Sequence, residues 1–150
     1  MTPTTDTRPI AGSLRDVHRA RGLAVVGAVS ASLAVWAVGD PLLGCDLVVR
    51  QKGQTRDLGA AAMGIFALVP ALLGWALLAG LERMTELAGR IWTAAAMVLL
   101  AASLVPVFAV EAGGGTKTTL ALAHVAVGAV LIPVFRKTAG TRLRLLGGAR

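Results

Sequence analysis

Four long apolar stretches, separated by short charged segments, dominate the chain. They cover residues 22–39, 58–81, 91–110 and 118–135, and none of them contains Asp, Glu, Lys or Arg. A helix needs about 20 predominantly apolar residues to cross the roughly 30 Å hydrocarbon core of a bilayer. The pattern therefore predicts four transmembrane helices in an all-α, polytopic membrane protein.

The same pattern predicts a single domain. Only helices and closed barrels satisfy the backbone polar groups of a chain in lipid, and the strict alternation of a barrel strand is absent from this sequence. We expect an antiparallel four-helix bundle over residues 22–135. A cytoplasmic tail of residues 1–21, disordered at its start over residues 1–14, should precede the bundle, and a basic cytoplasmic tail of residues 136–150 should follow it.

Small residues in the first span indicate close helix packing. Ala24, Ala28 and Ser32 are spaced four residues apart, so one face of the helix carries no large side chain. Rows of this kind let membrane helices approach each other closely. The sequence therefore predicts a compact bundle, without identifying which helices are neighbours.

The loop after the first span, residues 40–57, mixes apolar and charged residues. We expect it to fold back on the helix ends as an interfacial turn or a short hairpin. It contains Cys45, the one cysteine of the chain, which cannot form an intrachain disulfide. Cys45 is therefore a free thiol or the partner of an intermolecular disulfide.

The positive charges predict the orientation of the chain. If both termini are cytoplasmic, 11 of the 15 Lys and Arg residues lie inside and 4 lie outside, as the positive-inside rule requires. We therefore expect a multi-pass protein of the inner (cell) membrane with cytoplasmic termini. The net charge of +7 is then explained by the membrane orientation, and we expect no nucleic-acid partner. The same charges also suit anionic lipids of the bilayer, at about 1 kcal/mol per basic residue near the surface.

A small group of polar residues predicts a pocket near the outer face. His124 is the one ionisable side chain inside a span, while Ser103 and Trp36 should lie with it in the outer third of the bundle. Asp40 and Asp46 belong to the outer loop above them. Ionisable residues within a membrane usually face the bundle interior and mark functional paths.

Several roles for His124 remain open at this stage. It can be a neutral imidazole bonded to Ser103 or to a backbone carbonyl, or part of a proton relay or ligand site open to the outside. A zinc site requires three or four ligands, and the other histidine, His18, should lie on the opposite side. A catalytic pair of Ser103 and His124 would require a separation of about 3 Å.

Residue types that the sequence lacks exclude several classes of membrane protein. Quinone-linked thiol oxidoreductases require paired cysteines, bis-histidine haem proteins require two histidines within the spans, and small multidrug exporters require an intramembrane carboxylate; the chain has none of these. We therefore expect no cofactor, no metal and no enzymatic activity. The favoured function is an accessory, interaction or self-associating membrane subunit. The alternative is a small transporter or ligand-binding protein that uses the pocket around His124.

Six short strings, in this order and spacing, resemble a family of uncharacterised four-span membrane proteins found mainly in actinobacteria. In one-letter code they are GCDL at 44–47, LGWALL at 73–78 followed by LER at 81–83, WT at 92–93, SLVP at 103–106 and LALAH at 120–124. The resemblance covers about residues 21–137. It implies the four-span topology and carries no known activity.

Overall fold

A computed structural model describes residues 10–44, 47–51 and 53–140. Its elements are α1 (Ile10–Ala37), β1 (Val48–Gln51), β2 (Gln54–Asp57), α2 (Ala60–Met84), α3 (Ala88–Ala109) and α4 (Gly114–Thr138). A single π-helical turn, Val38–Leu42, continues α1 at its C-terminal end. The predicted all-α bundle of four long apolar helices is confirmed.

The helices form an antiparallel ring. α1 packs between α2 and α4, and α3 closes the other side of the ring against the same two helices. Only residues 85–87 separate α2 from α3, and connections this short join antiparallel neighbours. We call the end where α1 begins and α4 ends the terminal end, and the end that carries β1 and β2 the hairpin end.

α1 begins well before the predicted span. It starts at Ile10, so residues 10–14 are helical although the sequence analysis placed them in the disordered part of the tail. Residues 1–9 lie outside the described part of the chain. The physical reason is that extending an existing helix costs far less than starting one, and no Pro occurs between residues 10 and 21 to stop it.

Two apolar clusters fill the bundle, one in each half. The cluster in the terminal half contains Ala24, Val25, Ala28, Ala71, Leu78, Ala88, Trp92, Leu131 and Phe135. The cluster in the hairpin half contains Leu47, Leu58, Met63, Val107, Leu120 and Ala123. Because both clusters draw residues from several helices, each half of the bundle has its own core.

The predicted row of small residues lies at the centre of this packing. Ala24, Ala28 and Ser32 are all buried, and the Ser32 hydroxyl is 3.4 Å from the carbonyl oxygen of Met63 on α2. On another side of α1, a Cβ added to Gly27 would lie 3.3 Å from Val130 on α4. Small side chains therefore bring α1 close to both of its neighbours.

The outward faces of the helices carry large apolar side chains. Leu23, Phe66, Val98 and Leu122 are each more than half exposed, an arrangement that suits lipid rather than water. Each of the four helices is long and apolar enough to cross a membrane. α3 is the least covered of them, with 11% of its most apolar window buried against 22–28% for the other three.

The loop after α1 forms the short hairpin that was one of the two predicted conformations. β1 and β2 are antiparallel, and Gln51 pairs with Gln54 across the turn. Gly53 supplies the positive φ of 77° that two-residue hairpin turns require. The hairpin is attached to the α3–α4 connection, because the Arg50 N–H donates to the carbonyl oxygen of Glu111 at 3.1 Å.

Candidate functional site

A buried ion pair lies at the terminal end of the bundle. The side chains of Arg21 on α1 and Glu82 on α2 are 2% and 5% exposed. Arg21 Nη2 donates to Glu82 Oε1 at 2.6 Å, and Nη1 donates to Oε2 at 3.1 Å. This two-bond arrangement is the strong form of an arginine–carboxylate contact.

The C-terminal end of α4 completes the cluster. Arg21 Nε donates to Thr138 Oγ1 at 3.0 Å, and Arg21 Nη2 donates to the Thr138 carbonyl oxygen at 2.9 Å. The N–H of Gly140 donates to Glu82 Oε1 at 3.2 Å. Gly140 has a positive φ of 76°, which lets the chain turn back toward Glu82 as it leaves the helix. The cluster therefore joins α1, α2 and α4, and provides a donor for one of the carbonyls that a helix end leaves unbonded.

The chemistry of this cluster indicates a structural role. An arginine side chain does not lose its proton in proteins, so Arg21 cannot act as a base. A buried ion pair is tolerated only when further hydrogen bonds satisfy both charges, and Thr138 and Gly140 supply those bonds here. We call Arg21, Glu82 and Thr138 the three-helix lock.

The sequence analysis missed the lock because it assigned Arg21 to the tail and Glu82 to a loop. A signal was nevertheless present. Arg21 immediately precedes the first apolar span, and Glu82 immediately follows the second. Two opposite charges that directly adjoin apolar spans at the same end of a bundle can meet between the helices.

His124 lies in the first half of α4 and bonds to its own helix. Because α4 begins at Gly114, His124 is ten residues into the helix, about 15 Å along its axis. Its Nδ1 is 2.7 Å from the carbonyl oxygen of Leu120, one turn earlier. A carbonyl can only accept, so Nδ1 carries the proton in this contact and the histidine bonds within its own helix.

Ser103 behaves in the same way. Its hydroxyl donates to the carbonyl oxygen of Leu100, on the same helix, at 2.7 Å. Ser103 and His124 are both among the described residues, and no hydrogen bond joins them. The geometry required for a catalytic serine–histidine pair is therefore not formed.

Asp40 supports the loop in which it lies. Its Oδ1 accepts from the N–H of Leu47 at 3.3 Å, and its carbonyl oxygen accepts from the N–H of Gly44 at 3.0 Å. These bonds hold the turn that leads from α1 to the hairpin. Asp46, the other predicted acidic residue of the pocket, lies outside the described residues.

Trp36 is the exception among the predicted pocket residues. Its indole Nε1 is buried without a hydrogen-bond partner. By contrast, the Nε1 of Trp92 donates to the carbonyl oxygen of Gly74 on the neighbouring helix at 2.7 Å. A buried donor without an acceptor costs about 1–3 kcal/mol. Among the described residues of the predicted pocket, Trp36 is therefore the one whose buried polar side-chain atom lacks a hydrogen-bond partner.

An open groove exists at the hairpin end, between the hairpin and the end of α3, and the residues that line it do not include Trp36, Asp40, Ser103 or His124. In the part of the chain that the structure describes, no three His, Cys, Asp or Glu residues lie close enough together to hold a metal ion. A role for the five residues as one site stays a prediction.

Comparison with known proteins gives one match. No curated protein and no solved structure matches the chain. The profile of the family of unknown function DUF6069 matches residues 12–141, which is most of the sequence. The resemblance to an uncharacterised family is thereby confirmed, while the actinobacterial source stays a prediction. The chain belongs to the DUF6069 family.

Proposed function

We propose that this protein is a non-enzymatic subunit of the inner (cell) membrane that associates with itself or with another membrane protein. The observation that carries the proposal is the incomplete packing of α3. Its apolar window is half as buried as those of α2 and α4, and its outward face presents the small residues Ala101 and Ala102 beside the exposed Val98 and Val105. A face of this composition lets another membrane helix approach closely.

The fate of the polar side chains supports the same proposal. The lock is closed by its own hydrogen bonds, and His124 and Ser103 bond to their own helices. A transporter or an enzyme needs polar groups that are free to meet a substrate. The proposal therefore assigns the activity of the protein to its outer surface.

The orientation is part of the proposal, with both termini in the cytoplasm. Basic side chains from all four helices are exposed at the terminal end: Arg15, Arg19, Arg83, Arg90, Arg136 and Lys137. The exposed acidic residues near them are Asp16 and Glu86. This excess of positive charge suits the cytoplasmic surface and contact with anionic lipids there.

The natural cysteine tests the orientation. Cys45 lies in the sequence between α1 and β1, so a membrane-impermeant maleimide should label it in intact cells. The matched variant Cys45→Ser with Thr85→Cys moves the thiol to the α2–α3 connection, where labelling should require permeabilised cells. The opposite labelling pattern would reverse the topology.

Self-association is tested by the mass of the full-length protein in nanodiscs assembled from native membrane. We expect a complex of more than one copy, which Ala101→Leu should convert to a monomer. Ala76→Leu, which adds the same volume to an exposed position of α2, should leave the mass unchanged. Equal masses for the wild type and both variants, at the size of one chain, would contradict self-association through α3.

The alternative function, a small ligand-binding protein or transporter, is favoured by one observation. The buried indole N–H of Trp36 has no acceptor, and a ligand or an ordered water would supply one. If the donor is simply unsatisfied, Trp36→Phe should raise the stability of the protein. Lower stability in this variant would support a bound acceptor and the alternative function.

A further inference from the structure

The groove at the hairpin end combines a polar wall with an apolar wall, and no function considered so far involves it. Its volume is about 680 Å³. Arg50 and Thr55 line it from the hairpin, and Pro106, Ala109, Val110 and Glu111 line it from the end of α3. One wall is therefore polar and part of a hairpin, whereas the other is the largely apolar end of a membrane-spanning helix.

Two residues of opposite charge are neighbours in the lining of this groove. Arg50 and Glu111 form an antiparallel bridge, and residues opposite each other in such a bridge project to the same side with Cα atoms about 5 Å apart. Both side chains belong to the described residues, both are exposed, and no ion pair is formed between them. Even if they met in water, the contact would contribute only about 0–1 kcal/mol, so a ligand can readily displace it.

The apolar wall leads directly to the lipid-facing surface of α3. Val105 and Phe108 are 66% and 65% exposed, and together with Ala109 they lie three or four residues apart, on one face of the helix. A molecule with its polar part in the groove can therefore place hydrocarbon chains along Val105 and Phe108. A soluble zwitterion would make no use of this continuity.

We propose that the groove binds the headgroup of a phospholipid that carries a phosphate and a primary ammonium group. Arg50 donates to the phosphate oxygens, and the Thr55 hydroxyl adds a further donor. Glu111 accepts hydrogen bonds from the ammonium group. The acyl chains lie on the exposed face of α3. The headgroup contacts do not involve the face of α3 proposed above for self-association, whereas the acyl chains share Val105 with it.

The proposal predicts selectivity between headgroups. A phosphatidylcholine headgroup has a quaternary ammonium without N–H donors, and a phosphatidylglycerol headgroup has no cation for Glu111. One charge-assisted hydrogen bond contributes enough free energy for about a tenfold preference. We therefore expect the protein to retain phosphatidylethanolamine about tenfold over phosphatidylcholine with the same acyl chains.

Native mass spectrometry of the full-length protein, released from micelles with equal amounts of the two lipids, measures this preference directly. Glu111→Gln should reduce the preference to near parity, whereas Arg50→Gln should lower the retention of both lipids, because both headgroups carry the phosphate. Arg90→Gln and Glu86→Gln remove the same charges from exposed positions at the terminal end and should preserve both the retention and the preference. Thermal unfolding of all four variants in phosphatidylcholine nanodiscs verifies that they remain folded.

Two results would overturn the proposal. The first is equal retention of both lipids by the wild type, a preference that Glu111→Gln leaves intact, or retention of both lipids that Arg50→Gln leaves unchanged. The second is displacement of phosphatidylethanolamine by free phosphoethanolamine at a similar concentration, because a site that needs only the soluble zwitterion would make no use of the face of α3.

Discussion

At the terminal end of the bundle one buried ion pair joins three helices, whereas toward the hairpin end His124 and Ser103 bond within their own helices and Ser32 and Lys117 each make one bond to a backbone carbonyl of a neighbouring helix. Arg21 reaches Glu82 across 61 residues of sequence and Thr138 across 117. His124 and Ser103 reach carbonyls four and three residues away. Long-range polar bonds fix how helices sit against each other, while local bonds only satisfy the residue that makes them.

The hairpin end is instead held by close packing. A Cβ added to Gly39, at the end of α1, would lie 2.6 Å from both Cγ2 and Oγ1 of Thr119 on α4. Leu47 and Leu58, on either side of the hairpin, are buried against the helices. Helices in lipid associate by such contacts because no hydrophobic force drives them together. The two ends of one bundle thus use different interactions for the same purpose.

The largest effect should come from breaking the three-helix lock. Glu82→Ala leaves the Arg21 guanidinium buried without its counter-charge, which typically costs about 3–5 kcal/mol. Glu86→Ala removes the same charge from an exposed position on the α2–α3 connection and should change stability by less than about 0.5 kcal/mol. The free energy of unfolding of the two variants in nanodiscs measures the difference.

The double variant Arg21→Met with Glu82→Leu separates charge from packing. Replacing both charges by apolar side chains of similar volume is often neutral or stabilising, so most of the loss in Glu82→Ala should be recovered. Equal stabilities for Glu82→Ala and Glu86→Ala would contradict the claim that a buried ion pair stabilises the terminal end.

The fold of the bundle was predictable because it follows from local sequence. Each apolar span is long enough to cross a membrane, and each became one helix. The buried face of α1 was also visible, since the spacing of Ala24, Ala28 and Ser32 depends only on the helical period. What the apolar pattern did not contain was the start of α1 at Ile10, because polar residues can extend a helix beyond the membrane.

The polar contacts were less predictable because depth along a helix does not determine which way a side chain turns. His124 and Ser103 were grouped by their expected depth, yet each has a backbone carbonyl of its own helix within reach. Arg21 was counted as a tail charge, although its long side chain reaches Glu82 and Thr138. Which of the available partners a side chain meets depends on helix neighbours that the sequence leaves open.

A smaller effect should follow from disturbing the close packing at the hairpin end. Gly39→Ala places a methyl group against Thr119, a buried β-branched residue with little freedom to move. Overpacking of this kind typically costs about 1–3 kcal/mol. Thr119→Ala in the same chain should restore much of the loss, since it removes the two atoms at 2.6 Å.

Gly80→Ala is the matched control for this packing, because no atom lies within 4 Å of a Cβ added there. Chemical denaturation of the three variants measures the effect. If Gly39→Ala is as stable as Gly80→Ala, close packing does not hold the hairpin end.

The smallest effect on stability is expected for His124 and Ser103, the two intramembrane residues of the predicted pocket that carry a histidine or serine side chain. His124→Leu removes a bond to the Leu120 carbonyl, which lies one turn earlier on the same helix and can still accept from the backbone. We therefore expect a change of less than about 1 kcal/mol for His124→Leu and also for Ser103→Ala. In the double variant the two effects should add, because no hydrogen bond joins the two side chains.

Trp92→Phe provides the positive control, because it removes a 2.7 Å bond to Gly74, 18 residues away on a different helix. This variant should lose about 1 kcal/mol in the same unfolding experiment. A coupling above about 0.5 kcal/mol between Ser103→Ala and His124→Leu would show that the two side chains share a network. The hairpin end would then contain a polar site between helices, and its difference from the terminal end would be one of charge alone.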